Sequence, residues 1–182
     1  MKSIYLLIVL FIMATTSCNS SKSVLGQAEM DAFNTMVTNK QFRIESNWAY
    51  PQVTTAMQQV LSSGLLQPGS SAGSINLIGN YNFLRISGDS ITSYLPYFGE
   101  RQMNVAYGGG DSAIEFKGLI ENYKAVRNKD NSYNINLEAK SNTENFKVFI
   151  KLFPNLNSDM TLHGTSRFSI QYTGAVAPFN NQ

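Results

Sequence analysis

From Ile75 to the C-terminus the chain reads with a period of two. The clearest stretch is "YNINLEA", in which Tyr133, Ile135, Leu137 and Ala139 alternate with Asn134, Asn136 and Glu138. Successive side chains of a strand point to opposite faces, so this alternation requires one buried and one wet face. The same period predicts strands over 75–78, 81–87, 90–96, 113–117, 119–127, 132–139, 145–153 and 167–174. The links between them are short and rich in turn formers: "SGDS" at 87–90, "RNKDNS" at 127–132 and "SNTEN" at 141–145. Such links join antiparallel neighbours, because a parallel crossover needs roughly a dozen residues or more. The expected class is mainly β, of the α+β kind: a single antiparallel meander forming a curved sheet, a barrel or a sandwich. A lipocalin-like barrel and a two-sheet sandwich both fit.

Before Ile75 the pattern differs. "QAEMDAFNTMVTNK" (27–40) places Met30, Phe33 and Val37 at helical spacing, with Met36 beside them, and predicts an amphipathic helix. "QFRIESNWAYP" then alternates, with Phe42, Ile44, Ser46, Trp48 and Tyr50 on one side, and predicts a strand ended by Pro51. "QVTTAMQQVLSSG" returns to helical spacing through Val53, Met57, Val60 and Leu61, with Gly64 as the stop. One or two N-terminal helices are thus expected ahead of the meander. In "FKVFIKLF", Phe149 and Phe153 share a face with Lys147 and Lys151, so both faces are partly apolar. Cover on each side is expected, the second from the N-terminal helix.

The first residues carry an address rather than a fold. Lys2 precedes the apolar run "IYLLIVLFIM" (4–13), and small residues follow from Ala14 to Ser17. This is the order of a secretory signal. The run is too short to span a bilayer, which needs about 20 residues. Cys18, the sole cysteine, comes directly after the small residues. The arrangement resembles a bacterial lipoprotein signal, which implies cleavage before Cys18 and acylation of its thiol. The alternative is a soluble exported protein with a stray thiol. An unpaired cysteine in an oxidising compartment favours the lipid reading. The expected division is a signal peptide over 1–17, a lipid-anchored tether over 18–27 and one β-rich domain over 28–182. Asn19 is not the Asp that retains lipoproteins in the inner membrane, so the outer membrane is the expected address, with the domain facing the periplasm.

Loss of Lys2 with the signal leaves 13 of the 14 basic residues against 12 acidic ones. That near-balance argues against nucleic acid, which calls for a clearly basic face. Lipidation of Cys18 would leave no thiol for a disulfide, a zinc site or a nucleophile. His163 is the only histidine, so multi-histidine metal sites are excluded. No cofactor and no metal is expected. The carboxylates nearest the aromatic block "SYLPYFG" are Glu100, Asp111 and Glu115. Their spacing singles out no acid–base pair, and Glu115 alternates to the solvent side. "YGGGDS" (107–112) is followed by a predicted strand, not by the helix that a phosphate cradle requires, and reads as a hairpin tip. His163 beside Gly164 reads as a turn or surface residue.

Three segments carry a family resemblance: "ISGDSITSYLPYFGE" (86–100), "YGGGDSAIEFKG" (107–118) and "SRFSIQYTGAV" (166–176). They resemble an uncharacterised lipoprotein domain family widespread in Bacteroidota, a domain of unknown function with an LPYFG signature. The resemblance implies one domain and an envelope address; it supplies no catalytic residue. The loop around 62–73 looks longer than is usual there. "DSI" at Ser90 and "DSA" at Ser112 match the Asp–Ser/Thr–apolar triplet that is O-glycosylated in exported proteins of that phylum; "GDS" is equally ordinary turn chemistry. Within the signature, Tyr94, Tyr97 and Phe98 around Pro96 are either a ligand wall, with Glu100 and Arg101 as orienting polar groups, or packing residues that close the fold. Packing is favoured, because aromatics bury large areas. The expected role is a lipid-anchored, non-catalytic binding or envelope-maintenance module. Its partners would be the membrane, through Cys18, and an envelope protein or glycan. The alternatives are an envelope hydrolase acting on glycan or lipid, and a structural subunit of an outer-membrane complex.

Overall fold

One strand holds the sheet together from its middle. β1 (Gln41–Pro51) pairs on one side with β3 (Phe83–Ser87) and on the other with β10 (Ile170–Pro178), both antiparallel. The computed structural model describes residues 26–55, 58–59, 68–100, 113–141 and 144–179. Beyond β3 the sheet continues through β4 (Ser90–Leu95) to β5 (Ile114–Leu119). Beyond β10 it runs through β9 (Asn157–Gly164), β8 (Asn145–Leu152) and β7 (Tyr133–Lys140) to β6 (Glu121–Arg127). A two-residue β2 (Ile75–Asn76) pairs beside β1. The two meanders are thus spliced by the N-terminal strand.

The ends of this path are neighbours in sequence. β5 and β6 are separated by Ile120 alone. They form one long bent strand whose first half pairs with β4 and whose second half pairs with β7. β5 also packs near β7. The sheet therefore nearly closes into a barrel. Counting β5 and β6 as one stave leaves eight staves on the nine-strand path. About eight strands enclose a space just wide enough for side chains. Here that space is filled by one continuous cluster, including Phe42, Ile44, Leu84, Ile86, Phe116, Ile135, Val148, Leu162 and Tyr172.

α1 (Gln27–Thr38) closes one end of the barrel with Phe33, Met36 and Val37, all buried. Glu29 accepts from the Gly26 N–H at 3.0 Å and satisfies one free donor at the helix start. The Phe33 ring meets Tyr133 edge-on at 5.7 Å, and the Tyr133 hydroxyl donates to Asn34 Oδ1 at 3.1 Å. After α1, Lys40 takes a left-handed conformation (φ 53°) that turns the chain into β1. Of the helix expected over 52–64, Thr55, Gln58 and Gln59 are helical, and the Gln58 N–H donates to Thr54 O at 3.0 Å. The rest of that stretch lies outside the described residues.

Several expectations from the pattern change. β1 does not keep one face throughout. Ser46 pairs with Gly174 and Trp48 with Thr173, so Asn47 is an extra residue that bulges the strand. Phe42, Ile44 and Ser46 point inward before the bulge; after it Ala49 and Pro51 do, and Trp48 and Tyr50 lie half-exposed. β9 was not anticipated: the strand expected after 145–153 was 167–174, whereas β9 spans 157–164 and β10 spans 170–178. Its inward positions include Ser158 beside Met160 and Leu162, which hides the alternation. The strand expected over 75–78 is reduced to Ile75–Asn76. The second face of β8 is not covered by α1: Phe149 is 42 % exposed and the Lys151 ammonium lies 4.9 Å from the Phe153 ring.

Candidate functional site

With the barrel interior occupied by side chains, a ligand is left the outer surface and the ends. The outer face of β3, β4 and β5 carries the most distinctive surface. Phe83 and Tyr94 are direct cross-strand partners on the outer face; Phe83 is buried beneath its neighbours there, and Tyr94 is half-buried. Tyr81, just before β3, packs against both: its ring lies 5.5 Å from Phe83 and 5.6 Å from Tyr94. Tyr81 is 67 % exposed. The three rings form a corner facing a groove of about 420 Å³, whose other lining includes Thr92, Glu115, Lys117, Lys140 and Ser141.

The corner is held from behind. Asn82 is buried, and its Oδ1 accepts from the Ser46 N–H at 2.7 Å. Its Nδ2 donates to Ser46 O and to Asn80 O, each at 3.0 Å. The β1 bulge frees those Ser46 groups from a regular ladder, and Asn82 takes them up. The strand therefore cannot slide, and Tyr81 and Phe83 are fixed on either side of Asn82. The Arg43 guanidinium lies 4.5 Å from the Phe83 ring, a cation over an aromatic face. Arg43 is in turn paired to Glu45 at 2.9 Å.

A second groove, of about 450 Å³, lies over β7, β8 and β9 and includes Glu121, Glu138, Lys140, Lys147, His163 and Thr165 in its lining. Lys140 lines both grooves, so they meet at the seam where β5 gives way to β6. Its ammonium is paired to Glu121 at 2.7 Å. His163 is exposed and meets the Phe149 ring edge-on at 5.4 Å.

One end of the barrel holds a buried polar cluster. The Arg167 Nε donates to Glu144 Oε2 at 2.8 Å, with side chains only 9 % and 1 % exposed. Glu144 Oε1 also accepts from the Ser166 N–H at 2.9 Å. The Arg167 guanidinium lies 4.8 Å from the Tyr97 ring. Tyr97 is 6 % exposed, and its hydroxyl shares its proton between Glu100 O at 2.8 Å and Phe168 O at 3.0 Å. Tyr172 is fully buried and donates to Pro96 O at 2.8 Å. Burial pushes its hydroxyl pKa far above the ordinary tyrosine value, with Arg167 acting the other way. These groups knit the loop after β4 to the start of β10.

The residues of the LPYFG region therefore part company. Tyr94 faces the outer groove, Tyr97 sits in the core, and Phe98 is half-buried against that core. The Glu100 carboxylate is hydrogen-bonded by Thr54 Oγ1 at the barrel end. Glu115 is exposed on the outer face of β5, so these two carboxylates lie on different surfaces. Ser90 is exposed at the first position of β4, next to Asp89, which pairs with Lys40 at 2.8 Å. Cys18, Arg101, Asp111 and Ser112 lie outside the described residues. Among the described residues no group of three or more His, Cys, Asp or Glu is placed to hold a metal, and no helix is long and apolar enough to cross a membrane. Pattern reasoning missed Tyr81, Phe83, Lys117 and Lys140 as a surface set. The signal was "NYNFLR", where Tyr81 and Phe83 fall on the side opposite the inward Asn82 and Leu84, Tyr81 exposed and Phe83 buried under its neighbours.

A family model described as a domain of unknown function (DUF4251) matches residues 25–176. No curated protein matches the chain. Among solved structures, the crystal structure of a DUF4251 family protein from Bacteroides eggerthii DSM 20697 is similar, with a TM-score of 0.56 and 14% identity. The match covers 83% of this chain and 88% of that one. At that identity the likeness concerns the fold.

Proposed function

The chain belongs to the DUF4251 family of domains of unknown function, and from that premise we propose that it is a non-catalytic binding module held at the cell envelope by a lipid on Cys18, with the outer groove of β3, β4 and β5 as its binding surface. The observation that carries this reading is the ring corner of Tyr81, Phe83 and Tyr94. A tyrosine 67 % exposed, its ring edge-on to Phe83 and tilted against Tyr94, beside a groove of about 420 Å³, keeps apolar area in contact with water. Aromatic surface with a polar rim is a common composition of binding sites. The order of residues 1–18, a cationic start, an apolar run, small residues and a cysteine, supports the envelope address. Two or more acyl chains would make that anchoring stable, since each buried CH₂ contributes about 0.8 kcal/mol. The outer membrane, with the domain facing the periplasm, is the address proposed.

The test is retention of envelope components on the immobilised full-length chain in detergent. The wild type should retain a component that a Tyr81→Ala/Tyr94→Ala variant loses and a Lys124→Ala variant on β6 keeps. Equal retention by all three would remove the groove from the function.

A further inference from the structure

We infer that the ligand of this surface is an extended, uncharged glycan chain, lying across Lys140 from the ring corner of Tyr81 and Tyr94 to the Phe149–His163 pair. This rests on the reading of the outer groove as the binding surface and names its ligand class. Three observations converge on it.

The first is the shape of the surface. The two grooves share Lys140 in their lining, so they adjoin at the seam and a chain crossing Lys140 can reach both. A compact ligand would fill one groove and leave the other open; a chain uses both.

The second is the placement of aromatic rings at both ends. Tyr81 is 67 % exposed at one end; at the other, His163 lines the second groove and Phe149, 42 % exposed, flanks it just outside the lining through their edge-on contact. Pyranose rings present a face of C–H groups that stacks on aromatic carbon while their hydroxyls remain free for hydrogen bonds. The groups between the two ends, Glu115, Lys117 and Lys140, supply acceptors and donors for such hydroxyls.

The third is charge. A polyanion or a polycation would need one dominant sign along the groove. Here the signs are interleaved: Lys140 pairs with Glu121 at 2.7 Å, Lys147 stands opposite Glu138 in register, and Lys117 shares β5 with Glu115. A strongly charged chain finds no net field along this path, whereas a neutral polyhydroxyl chain can use both signs.

The test is titration calorimetry on the full-length chain in detergent. The probes are cellohexaose and chitohexaose as neutral chains, their trisaccharides, a sulfated glycan of equal length, and anionic phospholipid in mixed micelles. At least one neutral hexasaccharide should bind, and should bind more tightly than its trisaccharide. Tyr81→Ala should weaken it roughly tenfold, the change expected when about 1.4 kcal/mol of stacking is lost. Phe149→Ala should weaken the hexasaccharide and leave the trisaccharide unchanged. Tyr81 is 67 % exposed, so its truncation should leave the fold intact, which a thermal melt of the variant checks. Failure of both neutral hexasaccharides to bind, tighter binding of the sulfated chain, or an affinity unmoved by Tyr81→Ala overturns the inference. If phospholipid or the sulfated glycan binds instead, and Tyr81→Ala abolishes that binding, the glycan assignment falls and the groove stands. If Tyr81→Ala moves none of the probes, the groove falls too.

Discussion

At the scale of single residues, the aromatic block shows how far a motif can be divided by its surroundings. Tyr94, Tyr97 and Phe98 look equivalent in sequence, yet one strand period and one proline separate a surface ring from a core ring. Tyr97→Ala should destabilise the fold by ~3–5 kcal/mol, the cost of deleting a buried aromatic, whereas Tyr97→Phe should cost only ~1 kcal/mol for the hydroxyl's two carbonyl contacts. Urea denaturation of both variants separates ring packing from hydrogen bonding; equal losses would mean the hydroxyl, not the ring, is what matters there. Tyr123 is the opposite case. Its hydroxyl is buried without a hydrogen-bond partner among the described residues, and burial pushes its pKa up from 10.0 to about 12. Tyr123→Phe should therefore leave stability at neutral pH unchanged or slightly raised, because it deletes an unsatisfied donor. The alkaline sign follows from linkage. Between 10.0 and about 12 the unfolded tyrosine has lost its proton while the folded one keeps it, so stability falls as pH rises through that window. Wild type should lose more stability across it than Tyr123→Phe does; parallel curves would show that this hydroxyl titrates alike in both states. The orphaned hydroxyl was invisible in sequence, where "ENYKAVR" gives no sign of what covers its tyrosine.

At the scale of elements, alternation told most where strands face one way from end to end. β7 is legible as "YNINLEA" because hydrophobic and polar residues take turns without interruption, and β8 nearly so, its alternation broken by the outward Phe149 between Val148 and Ile150. β9 was illegible because serine occupies an inward position and polar residues flank it. β1 was legible as a strand but not in its second half, since nothing local announces the extra residue at Asn47. That bulge has a partner in β10. A Cβ on Gly174 would run into the backbone of β1, with Ser46 Cα at 2.6 Å and the Glu45 carbonyl carbon at 2.8 Å. Backbone cannot step aside as a flexible side chain can. Gly174→Ala should then cost ~1–3 kcal/mol, the usual penalty for forcing volume into a packed site, and the thermal midpoint should fall accordingly. An unchanged midpoint would mean that the β1–β10 ladder relaxes freely at the bulge. The surface site was half legible for a related reason: alternation identifies which residues face out, but only the closed topology brings Tyr81 on one meander near Lys140 on the other.

At the scale of the whole molecule, the address and the fold are separate tests. If Cys18 is acylated, the wild-type chain should enter the detergent phase on cloud-point separation and Cys18→Ala should stay in the aqueous phase. Detergent partitioning of the Cys18→Ala chain would instead place the membrane affinity elsewhere. The order in which the folded part can assemble follows from the place of β1. It is the earliest strand of the barrel, yet one of its two neighbours, β10, is the last. A polypeptide threaded across a membrane from its N-terminus would deliver β3 soon after β1 but leave β1's other flank bare until residues 170–178 arrive. Contacts of such long sequence separation slow folding. Through that interval the chain would carry a naked sheet margin, exposed to proteases and to other nascent chains, in a compartment without ATP. If the chain is exported as proposed, pulse-labelling followed by proteolysis should find it susceptible until residues 170–178 emerge, because ladder closure needs β10. Protection gained before then would show that the β6–β9 meander guards itself. For a chain so threaded, the strand that splices the two meanders would also be the clock of maturation, set running first and stopped last.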